Sequence, residues 1–176
     1  MSSILLEGSS DPLFEVQDSD GGLRIVGQTE ESNLFEVGGA GSDVVDGGLS
    51  GDIIETGMGD DIVFGQAGDD FINGGEGDDV LIGGAGSDVI IGGAGSDVII
   101  GGEGSDVFEF FAEDFAEGDL DMIKGFADDI IAIKGAESVS YDSTTGMVSV
   151  DGEEAIQLDE GTDVTINETD GGFTLF

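Results

Sequence analysis

The 176-residue chain has no histidine, cysteine or tryptophan, a single proline, and three basic residues, Arg24, Lys124 and Lys134, against 41 acidic ones. Without histidine or cysteine there is no His-based triad, no thiol nucleophile, no disulfide and no zinc site of the usual nitrogen and sulfur kind. A formal charge of -38 repels phosphate backbones and anionic lipid surfaces, which excludes nucleic acid and membrane insertion. No apolar run approaches the length of a membrane span, and the N-terminal MSSILLEGSS lacks the basic region of a Sec-type signal. Hard cations that take oxygen ligands remain available as partners. Carboxylates at this density repel one another unless such cations intervene, so counter-ions are expected to belong to the fold.

What is abundant is glycine, 34 residues of it, and it recurs with a period. Residues 38 to 109 divide without insertion into eight nonapeptides: GGAGSDVVD, GGLSGDIIE, TGMGDDIVF, GQAGDDFIN, GGEGDDVLI, GGAGSDVII, GGAGSDVII and GGEGSDVFE. A short, strict period means a solenoid in which each repeat is one small structural unit. The sixth position is aspartate every time: Asp43, Asp52, Asp61, Asp70, Asp79, Asp88, Asp97 and Asp106.

Glycines at positions one, two and four predict a turn over the first six residues. Positions seven to nine read as a short strand, whose side chains alternate between faces. Position nine includes Asp46, Glu55, Asn73 and Glu109, so it faces outward together with position seven. Position eight (Val45, Ile54, Val63, Ile72, Leu81, Ile90, Ile99, Phe108) must line the interior.

The pattern GGxGxDxUx, with U a large apolar residue, resembles the RTX family of secreted calcium-binding proteins. The resemblance covers 72 of the 176 residues. Departures are few: Ser50 at position four, Thr56 at position one and Gln66 at position two. The resemblance implies an all-β fold, a parallel β-roll or right-handed β-solenoid, in which successive repeats alternate between two facing sheets. It would occupy residues 38–109, between β-rich caps at 1–37 and 110–176. The segment GDLDMIKGFADDIIAI (118–133) is similar to what commonly follows RTX repeats, with Gly125 where an aspartate usually sits. Helix, if formed, is confined to about residues 111–117.

Within that roll the resemblance implies Ca2+ between stacked turns, each ion held by two aspartates and by backbone carbonyls, six to eight oxygens in all. One edge pairs Asp43 with Asp61, Asp61 with Asp79 and Asp79 with Asp97; the other pairs Asp52 with Asp70, Asp70 with Asp88 and Asp88 with Asp106. Three gaps on each of two edges give six sites, with Asp121 a candidate ligand at one end. Ordering a residue costs roughly 1 to 2 kcal/mol, with glycine at the expensive end, so the repeat is expected to fold only with metal. The family also implies export through a type I route and an extracellular location, for which the C-terminal GGFTLF resembles the uncleaved signal; a plain last strand is the competing reading.

Other motifs are weaker. No Gly-Lys-Ser/Thr accompanies the glycine runs, Asp18-Ser19-Asp20-Gly21 reaches Thr29 where an EF-hand needs glutamate, and the repeats hold a single threonine, which argues against nucleotide, EF-hand and ice-binding readings. No catalytic constellation is expected. Outward positions seven and nine of the odd repeats are largely apolar, including Ile62, Phe64, Val80, Ile82, Val98 and Ile100. Two readings stand for that face: the C-terminal strands fold back over it, or it is a partner or self-association surface. The expected function is that of a secreted, non-enzymatic calcium binder; the alternatives are a calcium-dependent cell-surface or matrix protein and an accessory module of a secreted enzyme.

Overall fold

In the computed structural model each nonapeptide contributes one strand, and the strand is longer than three residues. Positions seven to nine continue straight through positions one to three, as in Phe71–Glu76 and Val80–Ala85, so that the turn is reduced to positions four to six. Along each strand positions eight and one face inward while seven, nine and two face out. Glycine therefore serves two purposes. At positions two and four it supplies a left-handed backbone, as at Gly75 (φ 107°) and Gly77 (φ 137°). At position one it supplies room, because a Cβ on Gly74 or Gly83 would strike the aspartate of its own strand's following turn.

The structure describes residues 3–7, 15–19, 22–26, 34–38, 40–115, 118–159, 162–169 and 171–176. Four strands precede the repeats, β1 (Ser3–Glu7), β2 (Glu15–Ser19), β3 (Gly22–Val26) and β4 (Leu34–Gly38). The repeats form β5 (Val44–Gly48), β6 (Ile53–Met58), β7 (Ile62–Ala67), β8 (Phe71–Glu76), β9 (Val80–Ala85), β10 (Val89–Ala94), β11 (Val98–Glu103) and β12 (Val107–Phe111). After them come β13 (Asp121–Lys124), β14 (Ile130–Lys134), β15 (Val139–Asp142), β16 (Met147–Val150), β17 (Glu153–Gln157), β18 (Ile166–Thr169) and β19 (Gly172–Leu175). No helix occurs among the described residues; 112–114, within the stretch where one was allowed, is a turn.

Odd and even repeats separate into two sheets, in the orders β15-β16-β17-β13-β11-β9-β7-β5-β3-β2 and β1-β4-β6-β8-β10-β12-β14-β19-β18. Pairing along the repeats is parallel with a register of 18 residues, for example Val80↔Val98 and Ile72↔Ile90. The all-β parallel β-roll is thus the architecture of the molecule. Stacking continues past both ends of the repeats: β3 and β4 lie parallel on β5 and β6, and β13 and β14 lie parallel on β11 and β12. Between the sheets runs one column of fully buried side chains, from Ile25 and Phe35 through Val45, Ile54, Val63, Ile72, Leu81, Ile90, Ile99 and Phe108 to Ile123 and Ile131.

The C-terminal strands do not cover the odd sheet. β17, β16 and β15 add to its edge beside β13, and β19 and β18 add to the edge of the even sheet beside β14. Their apolar residues, Val148, Ala155, Ile156 and Leu175, are spent closing the end of the core, which leaves the outward faces open. GGFTLF lies largely in β19, paired antiparallel with β14. Asp18 and Ser19 end β2, which forms an antiparallel hairpin with β3; Asp20 and Gly21 lie outside the described residues.

Candidate metal centre

Each repeat turns at its aspartate, and the carboxylate points into the turn instead of into water. Asp43, Asp52, Asp61, Asp70, Asp79, Asp88, Asp97, Asp106 and Asp121 are all at most 2% exposed. On one edge of the roll the backbone N–H of Asp43 donates to Oδ1 of Asp61 (2.7 Å), that of Asp61 to Asp79 (2.8 Å), that of Asp79 to Asp97 (2.9 Å) and that of Asp97 to Asp121 (2.8 Å). On the other edge Asp52 donates to Asp70, Asp70 to Asp88 and Asp88 to Asp106, at 2.7 to 2.9 Å. The pairs expected from the sequence are therefore neighbours in two continuous ladders.

One residue of the second ladder escaped the sequence reading. The N–H of Asp106 donates to Oδ1 of Asp129 at 3.0 Å, and Asp129 is only 4% exposed. Asp129-Ile130-Ile131-Ala132 repeats the aspartate-plus-strand half of the motif, as does Asp121-Met122-Ile123-Lys124, but neither follows a GGxG run; each has a single glycine upstream, Gly125 and Gly118. The visible signal was the buried strand register, with 23 and 24 residues per step in place of 18.

The second oxygen of these carboxylates decides what the ladders can do. Oδ2 of Asp70, Asp79, Asp88, Asp97, Asp106 and Asp121 is buried and has no hydrogen-bond partner. Buried polar atoms are ordinarily satisfied, and a buried carboxylate oxygen without a donor is costly. A row of such atoms, opposite glycines whose missing Cβ keeps the space clear, fits a cation. Among the described residues no three carboxylates converge on one point, so each gap offers a pair of aspartates and leaves the rest of an oxygen shell to the backbone. That donor set suits Ca2+, which accepts carbonyls freely, better than softer metals. Thr56 is the exception at position one: its hydroxyl donates to the Gly74 carbonyl at 2.8 Å and stands beside Asp61.

Residues 37–72 and 73–108 each match the family model described as RTX calcium-binding nonapeptide repeat (4 copies). The repeat segment belongs to the RTX calcium-binding family. No curated protein matches the chain. The two matched stretches hold four nonapeptides each, in the same eight-repeat frame displaced by one residue. RTX repeats are typical of secreted proteins, and no helix of the described residues is long and apolar enough to cross a membrane.

Burial governs the electrostatics of the RTX ladders. Burial pushes the carboxyls of Asp61, Asp70, Asp88 and Asp97 up to about 6, Asp79 up to about 7 and Asp121 up to about 8, and it raises Asp106 as well. Neighbouring carboxylates add to the rise, and the N–H donors of the adjacent coil oppose it. With the folded values above the unfolded value of 3.8, the metal-free roll holds protons that the unfolded chain releases.

Its stability is consequently greatest below pH 3.8 and is lost as pH rises through 6 to 8. In chelator, the strand signal followed by circular dichroism is expected to grow as pH falls from about 8 to about 5. The calcium concentration needed to fill the sites of the folded roll should rise over the same interval, because protons and metal compete for the same oxygens. A metal-free strand signal that stays flat or falls on acidification contradicts this account.

Proposed function

We propose that the protein is a secreted, non-enzymatic calcium binder whose roll folds around ions seated between successive aspartate turns. Asp43, Asp61, Asp79, Asp97 and Asp121 bound the gaps on one edge, and Asp52, Asp70, Asp88, Asp106 and Asp129 those on the other. The observation that carries this reading is the row of buried Oδ2 atoms that lack any protein donor. Bound Ca2+ supplies the positive charge those oxygens face. The chain supplies the rest: N–H donors that hold each carboxylate by Oδ1, glycines that keep the turn interior free, and a column of apolar side chains that aligns successive turns.

Six ions follow from the eight repeats alone. Five aspartates on each edge bound four gaps, so the two ladders provide up to eight, the last of them beside Asp129, whose Oδ2, unlike that of Asp106, already accepts from the Ala127 N–H at 3.0 Å. Calcium counted by inductively coupled plasma mass spectrometry on gel-filtered protein is expected to reach six to eight per chain. A count of two or fewer in the folded protein sinks the proposal. The expected setting is outside the cell, where calcium is plentiful, with export of the unfolded chain by a type I route.

A further inference from the structure

The outward face of the odd sheet is an apolar surface that no function has absorbed. It consists of two straight columns read off the strand register. Position seven gives Val44, Ile62, Val80, Val98 and Met122. Position nine gives Asp46, Phe64, Ile82, Ile100 and Lys124. These side chains pack against their neighbours in the column yet keep one side open, with Ile62 38% and Met122 36% exposed.

The second column is an apolar run closed by an acid at one end and a base at the other. Lys124 is exposed, and among the described residues the one ion pair is that of Lys134 with Glu109, on the other sheet. Lys124 thus has no acidic partner within the described chain. From Asp46 to Lys124 the column spans about 19 Å, four strand spacings of roughly 4.8 Å.

A two-fold axis laid along β9 maps this face onto itself. Asp46 of one copy falls opposite Lys124 of the other, Phe64 opposite Ile100, Ile62 opposite Val98, and Val80 and Ile82 opposite their own counterparts. Both ion pairs form and no like charges meet. The even sheet offers no such acid–base match: its matching column carries Glu55 towards one end and Glu109 towards the other, and Glu109 is already paired with Lys134. We propose that the protein forms a calcium-dependent, isologous dimer of two odd sheets packed face to face about β9, with Asp46 and Lys124 paired across it.

The dimer rests on the calcium-folded roll proposed above and is expected to be weak, since about ten residues per copy fall short of a standard stable interface. Sedimentation equilibrium in calcium, with circular dichroism on the same samples, tests it. Wild type is expected to dimerise. Lys124→Glu or Asp46→Lys alone places like charges together twice and weakens dimerisation about tenfold, and the double exchange restores it. The chain contains no cysteine, so Ile82→Cys is expected to cross-link with a short bismaleimide, whereas Ile91→Cys on the even face does not. A folded wild type that stays monomeric to millimolar concentration, a double exchange that fails to recover, or equal cross-linking from both faces overturns the proposal. Loss of the circular dichroism signal in calcium would instead strike the calcium reading itself.

Discussion

Placed in excess chelator at neutral pH, the protein is expected to lose most of its strand signal and to recover it in one steep transition as calcium is restored. The reason lies in how little else holds the repeats. Each nonapeptide buries one large apolar side chain, and 22 of the 72 repeat residues are glycine, which loses more freedom on ordering than any other residue. At the same place it buries a carboxylate whose Oδ2, in Asp70, Asp79, Asp88, Asp97 and Asp106, has no donor, in a chain with a formal charge of -38. Calcium removes the last two penalties together, so binding and folding become one equilibrium. Steepness follows from the ladder: an interior aspartate borders two gaps, so filling one orders half of the next. Far-ultraviolet circular dichroism against free calcium measures this directly, and a full β spectrum in chelator at neutral pH would falsify it.

Asp79→Asn is expected to be the most damaging single isosteric change. Oδ1 of Asp79 accepts from the Asp61 N–H at 2.8 Å, and its own N–H donates to Asp97 at 2.9 Å. Asparagine preserves both bonds and the shape of the turn. What it removes is the charge shared by the gaps on either side. Two ions should be lost from the count, and the calcium midpoint of folding should rise about tenfold or more, since affinity in oxygen sites follows the number of charged ligands. Asp129→Asn makes a useful contrast, because Asp129 closes its ladder and borders one gap. Its loss should cost one ion and a smaller shift. Equal effects from the two substitutions would mean that the carboxylates act one by one instead of as shared rungs.

The repeat made much of this visible beforehand. A nine-residue period with aspartate at position six and a large apolar residue at position eight places Ile72 inside and Phe71 outside from the letters alone, and the structure has them so. The ends were harder to read because glycine marks turns, whereas membership of the roll requires only a strand in register. Leu23 to Val26 and Leu34 to Val37 are short apolar runs of strand character, but nothing in them announces parallel stacking on β5 and β6. Asp129 was hidden for a related reason. From Asp106 to Asp121 the chain advances 15 residues, and from Asp121 to Asp129 it advances 8, where a repeat takes 9. A fixed-period search therefore loses the phase, while the hydrogen-bonded register does not. Glycine at position one was legible as glycine but not as to its purpose. Positive φ recurs at positions two and four, and only the distance from a would-be Cβ to the aspartate shows that the residue at position one is making room.

The step of 18 residues between hydrogen-bonded aspartates sets the unit in which such a molecule can change length. Adding or deleting two nonapeptides moves every later strand along its own sheet by one place and leaves β13 and β14 to receive the same neighbours. A single nonapeptide, although it looks like the genetic module, transfers everything downstream to the opposite sheet, and the three-strand extension that begins at β17 would then be joined to the wrong side. The heritable quantum of this architecture is therefore the pair, and GGAGSDVIIGGAGSDVII, two identical nonapeptides in tandem at residues 83 to 100, has the form of one such quantum.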